Sequence, residues 1–322
     1  MNVKEFVDSL FRDYEETQAL AEFKEELCAN IDAKIESLVK GGMGEAEAFE
    51  KARDQLGDVS DLAAQFAPKK RDQKSDERRG PKGAWGFVAL GNGDLVSRER
   101  DARGFDGVAL ECACDARIYP GEDFKVVITA DSNLIDSVVV ETRGGVLHIG
   151  VAKMALIFRP TKLSAEVYLP DLRKIKVAGS GAARVGDFSA QSLEVSVAGS
   201  GDVDIGALNA QSMGIAIAGS GEVNVARLNA GSLDVSIAGS GDVEVGAGSV
   251  TSLEIAIKGS GDVDTTGLCS REASVSILGS GDAKVWAEET LDASISGSGD
   301  IGYKGSPRLQ SRCAGSGKIR RL

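Results

Sequence analysis

The sequence predicts a mainly β chain, a right-handed parallel β-helix with coils of about 20 residues, preceded by a small all-α domain. Three observations predict it. A Gly-Ser-Gly step recurs at 179–181, 199–201, 219–221, 239–241, 259–261 and 279–281, then at tighter spacing at 297–299 and 315–317. Between the steps, β-branched and apolar residues alternate with small or polar ones. The first 66 residues lack the step and carry apolar residues at helical spacing instead.

One repeat explains the architecture. Leu193, Val195 and Val197 alternate with Glu194 and Ser196, and Val203 and Ile205 follow the step Gly199-Ser200-Gly201. Period 2 puts the branched residues on one face. The next repeats keep the pattern with Met213, Ile215 and Ile217, then Leu233, Val235 and Ile237, then Leu253, Ile255 and Ile257. Each repeat therefore reads as strand, glycine corner, strand and a looser return such as Gly206-Ala207-Leu208-Asn209. A single coil cannot bury its apolar face, but stacked coils can. Right-handed winding is expected because parallel crossovers are overwhelmingly of that hand.

Residues 1–66 form the expected helical domain. A first helix carries Phe6, Leu10, Phe11 and Tyr14, and a longer one runs from Leu20 through Leu27 and Ile31 to Leu38, stopped by Gly41-Gly42. A third carries Ala46, Phe49, Ala52 and Leu56, and a fourth carries Leu62, Ala63 and Phe66. The stretch Leu38 to Ala48, with Ala52 and Leu56-Gly57-Asp58, resembles the helical prefix module ahead of some bacterial permeases and signalling proteins. That resemblance implies a cytoplasmic interaction module; a helical cap or dimerisation stub is the alternative. Residues 67–84 are polar, basic and aperiodic, and read as a flexible linker to the β domain at 85–322.

Composition narrows the function classes. A net charge of −12 disfavours nucleic acid and anionic membrane as partners, which want a basic face. No apolar run reaches the ~18 residues of a membrane span. The start of the chain has no basic stretch followed by an apolar one, so cytoplasmic residence is expected. Cys28, Cys112, Cys114, Cys269 and Cys313 are odd in number and scattered, unlike a disulfide framework. Cys112 and Cys114 are expected on one strand face, as small buried or half-buried side chains or as a metal or redox pair.

Ahead of the repeats, the strand that opens at Gly104-Phe105-Asp106-Gly107-Val108 is expected to continue through Cys114. Val138–Glu141 and Val146–Ile149 read as a hairpin about Gly144-Gly145, and Leu163–Leu169 as a strand closed by Pro170. Phe105-Asp106-Gly107-Val108, Ser132-Asn133-Leu134-Ile135, Gly145-Val146-Leu147-His148-Ile149 and Leu169-Pro170-Asp171-Leu172 precede Val177-Ala178-Gly179-Ser180-Gly181. In that order they resemble the putative auto-transporter adhesin head domain, or GIN domain, from about Leu90 onward. The resemblance implies a β-helix and an adhesin-like or surface-binding role, with no catalytic residues to carry over; no cofactor is expected. It also makes the cell surface the alternative location.

Candidate sites come from the coil faces. The residue after the step is acidic at Asp202, Glu222, Asp242, Asp262, Asp282 and Asp300, and Asp204, Glu244 and Asp264 point the same way. Stacking aligns these into a solvated acidic edge, or into a Ca²⁺ comb of Asp202, Asp204, Asp242, Glu244, Asp262 and Asp264. A strip of small residues, Ser196, Ala216, Ser236, Ala256 and Ser276, reads either as plain solvent-facing surface or as an interface. His148 is the sole histidine and no nucleophile motif adjoins it, so a structural role is expected and no enzyme is predicted. Two functions remain. One is a scaffold that recognises protein or glycan through its faces. The other is a cytoplasmic scaffold whose helical domain docks to a membrane protein or dimerises while its β-helix self-assembles.

Overall fold

In the computed structural model, the described residues are 3–12, 17, 20, 24, 27–28, 31–32, 35, 39, 44, 47–50, 88–151, 157–159 and 161–322. They fall into two units, one from 1–91 with 152–160 and the other from 92–151 with 161–322. The linker 67–84, the Gly41-Gly42 stop and the fourth helix lie outside the described residues.

In the first unit, helix Val3–Leu10 buries Phe6 and Val7, and Phe11 is buried just beyond it. Helical positions Leu20, Leu27 and Ile31 are buried, as the 3.6-residue period requires, and Ala48 joins them. Phe49 meets Phe6 edge to face, with ring centroids 6.0 Å apart. Strands Val88–Leu90 and Ile157–Arg159 form a parallel pair.

The second unit is a parallel β-solenoid of about seven turns. Register repeats every twenty residues, pairing Asp202 with Glu222, Leu208 with Leu228 and Gly219 with Gly239. Val203, Ile205, Leu208, Met213, Ile215 and Ile217 are all buried, and their counterparts above and below continue the same columns. Burying each such side chain contributes about 1.5–3 kcal/mol. The expected loose return is instead part of the ladder: Ala207, Leu208 and Asn209 pair with Arg227, Leu228 and Asn229. Leu208 at 1% exposure shows why, since its burial anchors that corner to the core.

The period shortens near the far end. Gly279 pairs with Gly297 and Thr290 with Arg308, a step of eighteen, after register shifts between Asp264 and Glu272. Buried Thr265 and Ser270 sit at that irregularity and donate to the carbonyls of Lys284 (3.1 Å) and Trp286 (2.7 Å).

Near its other end the stack leaves chain order. Strand Gly107–Leu110 pairs on one side with Val146–Val151 and on the other with Lys174–Gly179. Asp115–Pro120 likewise lies between Leu163–Leu169 and Ala182–Val185. The coil at 107–120 is thus sandwiched between two coils that follow it in sequence. Antiparallel strands close this end: Val138–Arg143 on Val146–Val151, and Lys125–Asp131 between Leu163–Leu169 and Leu95–Arg100. Asp131 is fully buried here and ties two loops together. It accepts from Gly93 N (2.7 Å), Thr161 N (2.8 Å) and Thr161 Oγ1 (2.6 Å).

One sequence expectation is corrected in this coil. The strand does not run through Cys114; it stops at Leu110 and resumes at Asp115. Cys112 and Cys114 share a turn rather than a strand face. Cys114 N donates to Cys112 O across 2.8 Å, which folds the backbone out of the extended conformation.

Candidate functional site

Two outward faces of the solenoid carry the residues that the sequence singles out. The first is the outer side of the runs Leu193–Gly199, Met213–Gly219, Leu233–Gly239 and their successors. Parallel register stacks Ser196, Ala216, Ser236, Ala256 and Ser276 into one column. These residues are exposed or half-buried, and none has a side chain longer than two heavy atoms. Beside them runs a second column, Glu194, Gly214, Asp234 and Glu254. Gly214 has open space where a side chain would stand. Ala216, Ser236 and Ala256 line a shallow groove of about 400 Å³ with Gly214, and Glu194, Asp234 and Glu254 form its charged margin.

The second face follows the Gly-Ser-Gly corner. One column is Asp202, Glu222, Asp242, Asp262, Asp282 and Asp300, and the next is Asp204, Asn224, Glu244, Asp264 and Lys284. The stretch from Glu222 to Asp282 in the first column and from Glu244 to Lys284 in the second lines a groove of about 280 Å³. The second column is charge-compensated at intervals, by Arg184 on Asp204 (3.8 Å) and Lys284 on Asp264 (3.6 Å). Asn224 Nδ2 donates to Asp204 Oδ1 (3.3 Å) and Glu222 Oε1 (3.0 Å). Burial pushes the Asp264 carboxyl up, but hydrogen bonds from Thr266 and the Lys284 ammonium outweigh it and hold it below the usual carboxylate range. The six candidate Ca²⁺ ligands are thus split between two columns. Among the described residues, no group of three or more His, Cys, Asp or Glu side chains is placed to hold a metal ion.

The first column has a role that the sequence reading missed. Asp242 Oδ1 accepts the N–H of Asp262 (2.8 Å), Asp262 that of Asp282 (2.8 Å), Asp282 that of Asp300 (2.7 Å) and Asp300 that of Lys318 (2.8 Å). Each carboxylate therefore ties its corner to the next. The available signal is the run of aspartates directly after the step at these four coils, each a short carboxylate beside the next corner's N–H.

His148 is placed by the strand that pairs with Gly107–Leu110. Its Nδ1 lies 2.8 Å from Glu111 Oε1, and Arg143 reaches Glu141 at 3.0 Å and Glu111 at 4.0 Å. This cluster links neighbouring strands at the closed end of the stack.

Comparisons agree with this geometry. The model of the family described as "Putative auto-transporter adhesin, head GIN domain" matches residues 104–226 and 206–307, together more than half of the chain. The crystal structure of a putative lipid binding protein from Parabacteroides distasonis is similar, with a TM-score of 0.70 and 28% identity over 73% of this chain and 99% of that one. A putative adhesin from Parabacteroides merdae has a TM-score of 0.70 and 24% identity over 74% and 100% of the two chains. A putative adhesin from Bacteroides fragilis reaches 0.57 at 20% identity over 73% and 100%. Among curated proteins none matches significantly. No helix among the described residues is long and apolar enough to cross a membrane.

Proposed function

The chain belongs to the family of putative auto-transporter adhesin head GIN domains, and from that premise we propose that it is a non-catalytic binding scaffold that recognises a protein or glycan through a solenoid face. The observation that carries the reading is the column Ser196, Ala216, Ser236, Ala256 and Ser276, held flat by twenty-residue register beside the groove at Gly214. Small side chains let a partner approach the strand surface closely, and Glu194, Asp234 and Glu254 offer acceptors for hydroxyl, amide or cationic donors. The coil interior is filled by Val, Ile and Leu columns, which directs recognition to the outside. This favours a surface-bound headgroup, sugar or polypeptide over an acyl chain, and it bounds what the lipid-binding description of the Parabacteroides distasonis neighbour means here. The family description supports a cell-surface location for the scaffold, and in this reading the segment 1–66 holds a protein partner.

The test is a glycan array and a panel of purified surface proteins probed with the whole chain and with Ala216→Arg/Ser236→Arg. Binding that the double variant loses, at unchanged melting temperature, supports the reading. Equal binding by both chains, or no binding by either, removes this face as the recognition surface. Concentration-dependent sedimentation abolished by the same variant would identify the partner as a second copy.

A further inference from the structure

The coil at 107–120 differs from those stacked after it at one place. Register pairs Leu110 with Val177 and Asp115 with Ala182, so Cys112-Ala113-Cys114 occupies the position of Gly179-Ser180-Gly181. Among the described corners of this type, it alone carries side chains at both glycine positions. The next coil bears directly on its backbone. A Cβ on Gly181 would come within 2.6 Å of Cys114 O and 2.7 Å of Cys112 O. The two thiols are therefore confined to the turn and to its other side, where Cys112 Sγ lies 3.8 Å from Ile149 O.

The turn brings them together. Its hydrogen bond from Cys114 N to Cys112 O folds two consecutive Cα steps back on each other. A disulfide needs Cα atoms about 4.4–6.8 Å apart, within reach of such a turn. The two thiols differ in exposure: Cys112 is half-buried and Cys114 fully buried. No disulfide is present, and both are free thiols.

We propose that Cys112 and Cys114 form a redox-active dithiol that closes to a disulfide by exchange with a low-molecular-weight disulfide, with Cys112 attacking and Cys114 resolving. The Cys112 thiolate attacks one sulfur of the small disulfide, forms a mixed disulfide and releases one small thiolate. Cys114 then loses its proton to that thiolate or to solvent and attacks the Cys112 sulfur. The Cys112–Cys114 bond forms, the mixed disulfide breaks and a second small thiolate leaves. The protein is oxidised by two electrons and the small disulfide is reduced to two thiols.

The electrostatics agree with this order. The Cys114 S–H, donated to the Cys112 sulfur, holds the Cys112 thiol below its usual range, against burial and the Glu111 carboxylate, which push it up. The same hydrogen bond and burial push Cys114 far up. Cys112 is therefore the sulfur that carries a thiolate first, and the thiolate is the attacking species. The pair's resting state then follows its compartment, a dithiol under a cytosolic glutathione poise and a disulfide in an oxidising one.

The whole chain is equilibrated at pH 7 in buffers of rising glutathione disulfide to glutathione ratio, acid-quenched, alkylated and digested. The fragment 104–117 is then weighed. Its expected course is from the doubly alkylated form to an unlabelled form two hydrogens lighter than the free dithiol peptide, without an accumulating glutathione adduct. Cys114→Ser stalls as a one-glutathione adduct at Cys112, and Cys112→Ser gains its adduct at least about tenfold more slowly. The proposal is overturned if the native fragment keeps two thiols at ratios where exposed Cys313 is modified, if it stalls as the mixed adduct, or if the two variants react at equal rates. The native-chain arm does not depend on either variant folding, and circular dichroism checks both.

Discussion

At Gly241 a single methyl group decides whether two coils can touch. A Cβ there would run into the carbonyl oxygen of Gly221 and come within 2.6 Å of Ile217 Cγ2, and Gly239 two residues earlier sits at φ +138°. Gly241→Ala should cost about 2–4 kcal/mol, the sum of overpacking and a displaced corner. Gly214→Ala is the control, because that glycine faces open space with no positive φ. It should leave stability within about 0.5 kcal/mol or raise it slightly by restricting the unfolded chain. Thermal unfolding of the two variants beside the native chain separates them, and equal losses would mean that the step is spacing rather than contact.

The aspartate ladder turns on a comparison of two magnitudes. Unit charges about 4.8 Å apart in water repel by about 0.9 kcal/mol. A hydrogen bond to a charged group contributes about 1.5–3 kcal/mol, so the bond from Asp300 N to Asp282 Oδ1 outweighs the crowding of carboxylates. Asp282→Asn keeps an acceptor and removes a charge, and it should stay within about 0.5 kcal/mol of the native chain. Asp282→Ala should lose about 0.5–1.5 kcal/mol, reduced from the full bond because water can reach the freed N–H. Asp131 is the buried counterpart. Burial pushes its carboxyl up, but hydrogen bonds from Thr161 and Gly93 prevail and hold it below the usual range. A depressed folded value means stability that is present above about pH 4, the unfolded carboxylate's range, and is lost as pH falls through the lower folded value. Asp131→Asn, which leaves buried donors poorly matched, should therefore be less stable by about 1–3 kcal/mol at neutral pH. The gap should narrow in acid unfolding curves below pH ~4, and a constant gap would contradict the assignment.

At the scale of elements, what the sequence revealed and what it hid divide by range. The coils from Leu193 onward were legible because Val195, Val197, Val203 and Ile205 and their copies repeat a local pattern that is also the packing pattern. The small-residue column followed directly from that register. The insertion of 107–120 between 146–169 and 174–185 was not legible, because no local period encodes which coil stacks on which. The Cys112 turn was hidden for the same reason. Only the register against Gly179-Ser180-Gly181 identifies it as a corner. If the coil is the unit, removing one should leave the stack intact. Deletion of residues 222–241 joins Gly221 to Asp242, re-forms Gly-Ser-Gly-Asp and seats Val243 and Leu253 on Val203 and Met213. The shortened chain should keep its strand content by circular dichroism and lose only about one coil's share of stability. Deletion of 222–231 alone misaligns every later column and should abolish folding. If both deletions are equally harmful, coils are not independent units.

For the solenoid unit as a whole, its two ends pose different problems. One end is closed by antiparallel strands Val138–Arg143, Lys125–Asp131 and Leu95–Arg100. At the other, strand Arg308–Gly315 pairs only with the coil before it among the described residues, and every residue in it is exposed. Such an edge is a template for another strand, and charged side chains are the usual guard. Here the guard is a reversal of sign. The chain carries −12 overall, yet Arg308, Arg312, Lys318, Arg320 and Arg321 crowd these last strands, and Lys318 takes the place of the ladder's aspartates. Two such edges brought together would set arginines of like charge near one another across the new pairing, which is destabilising. Arg308→Ser/Arg312→Ser should therefore lower the concentration at which dimers appear in sedimentation by about tenfold, each 1.4 kcal/mol of removed repulsion being one such factor. High salt should narrow the difference, because exposed charges are screened within about 3 Å at 1 M. A double variant as monomeric as the native chain at every concentration would mean that backbone geometry, not charge, keeps this edge unpaired.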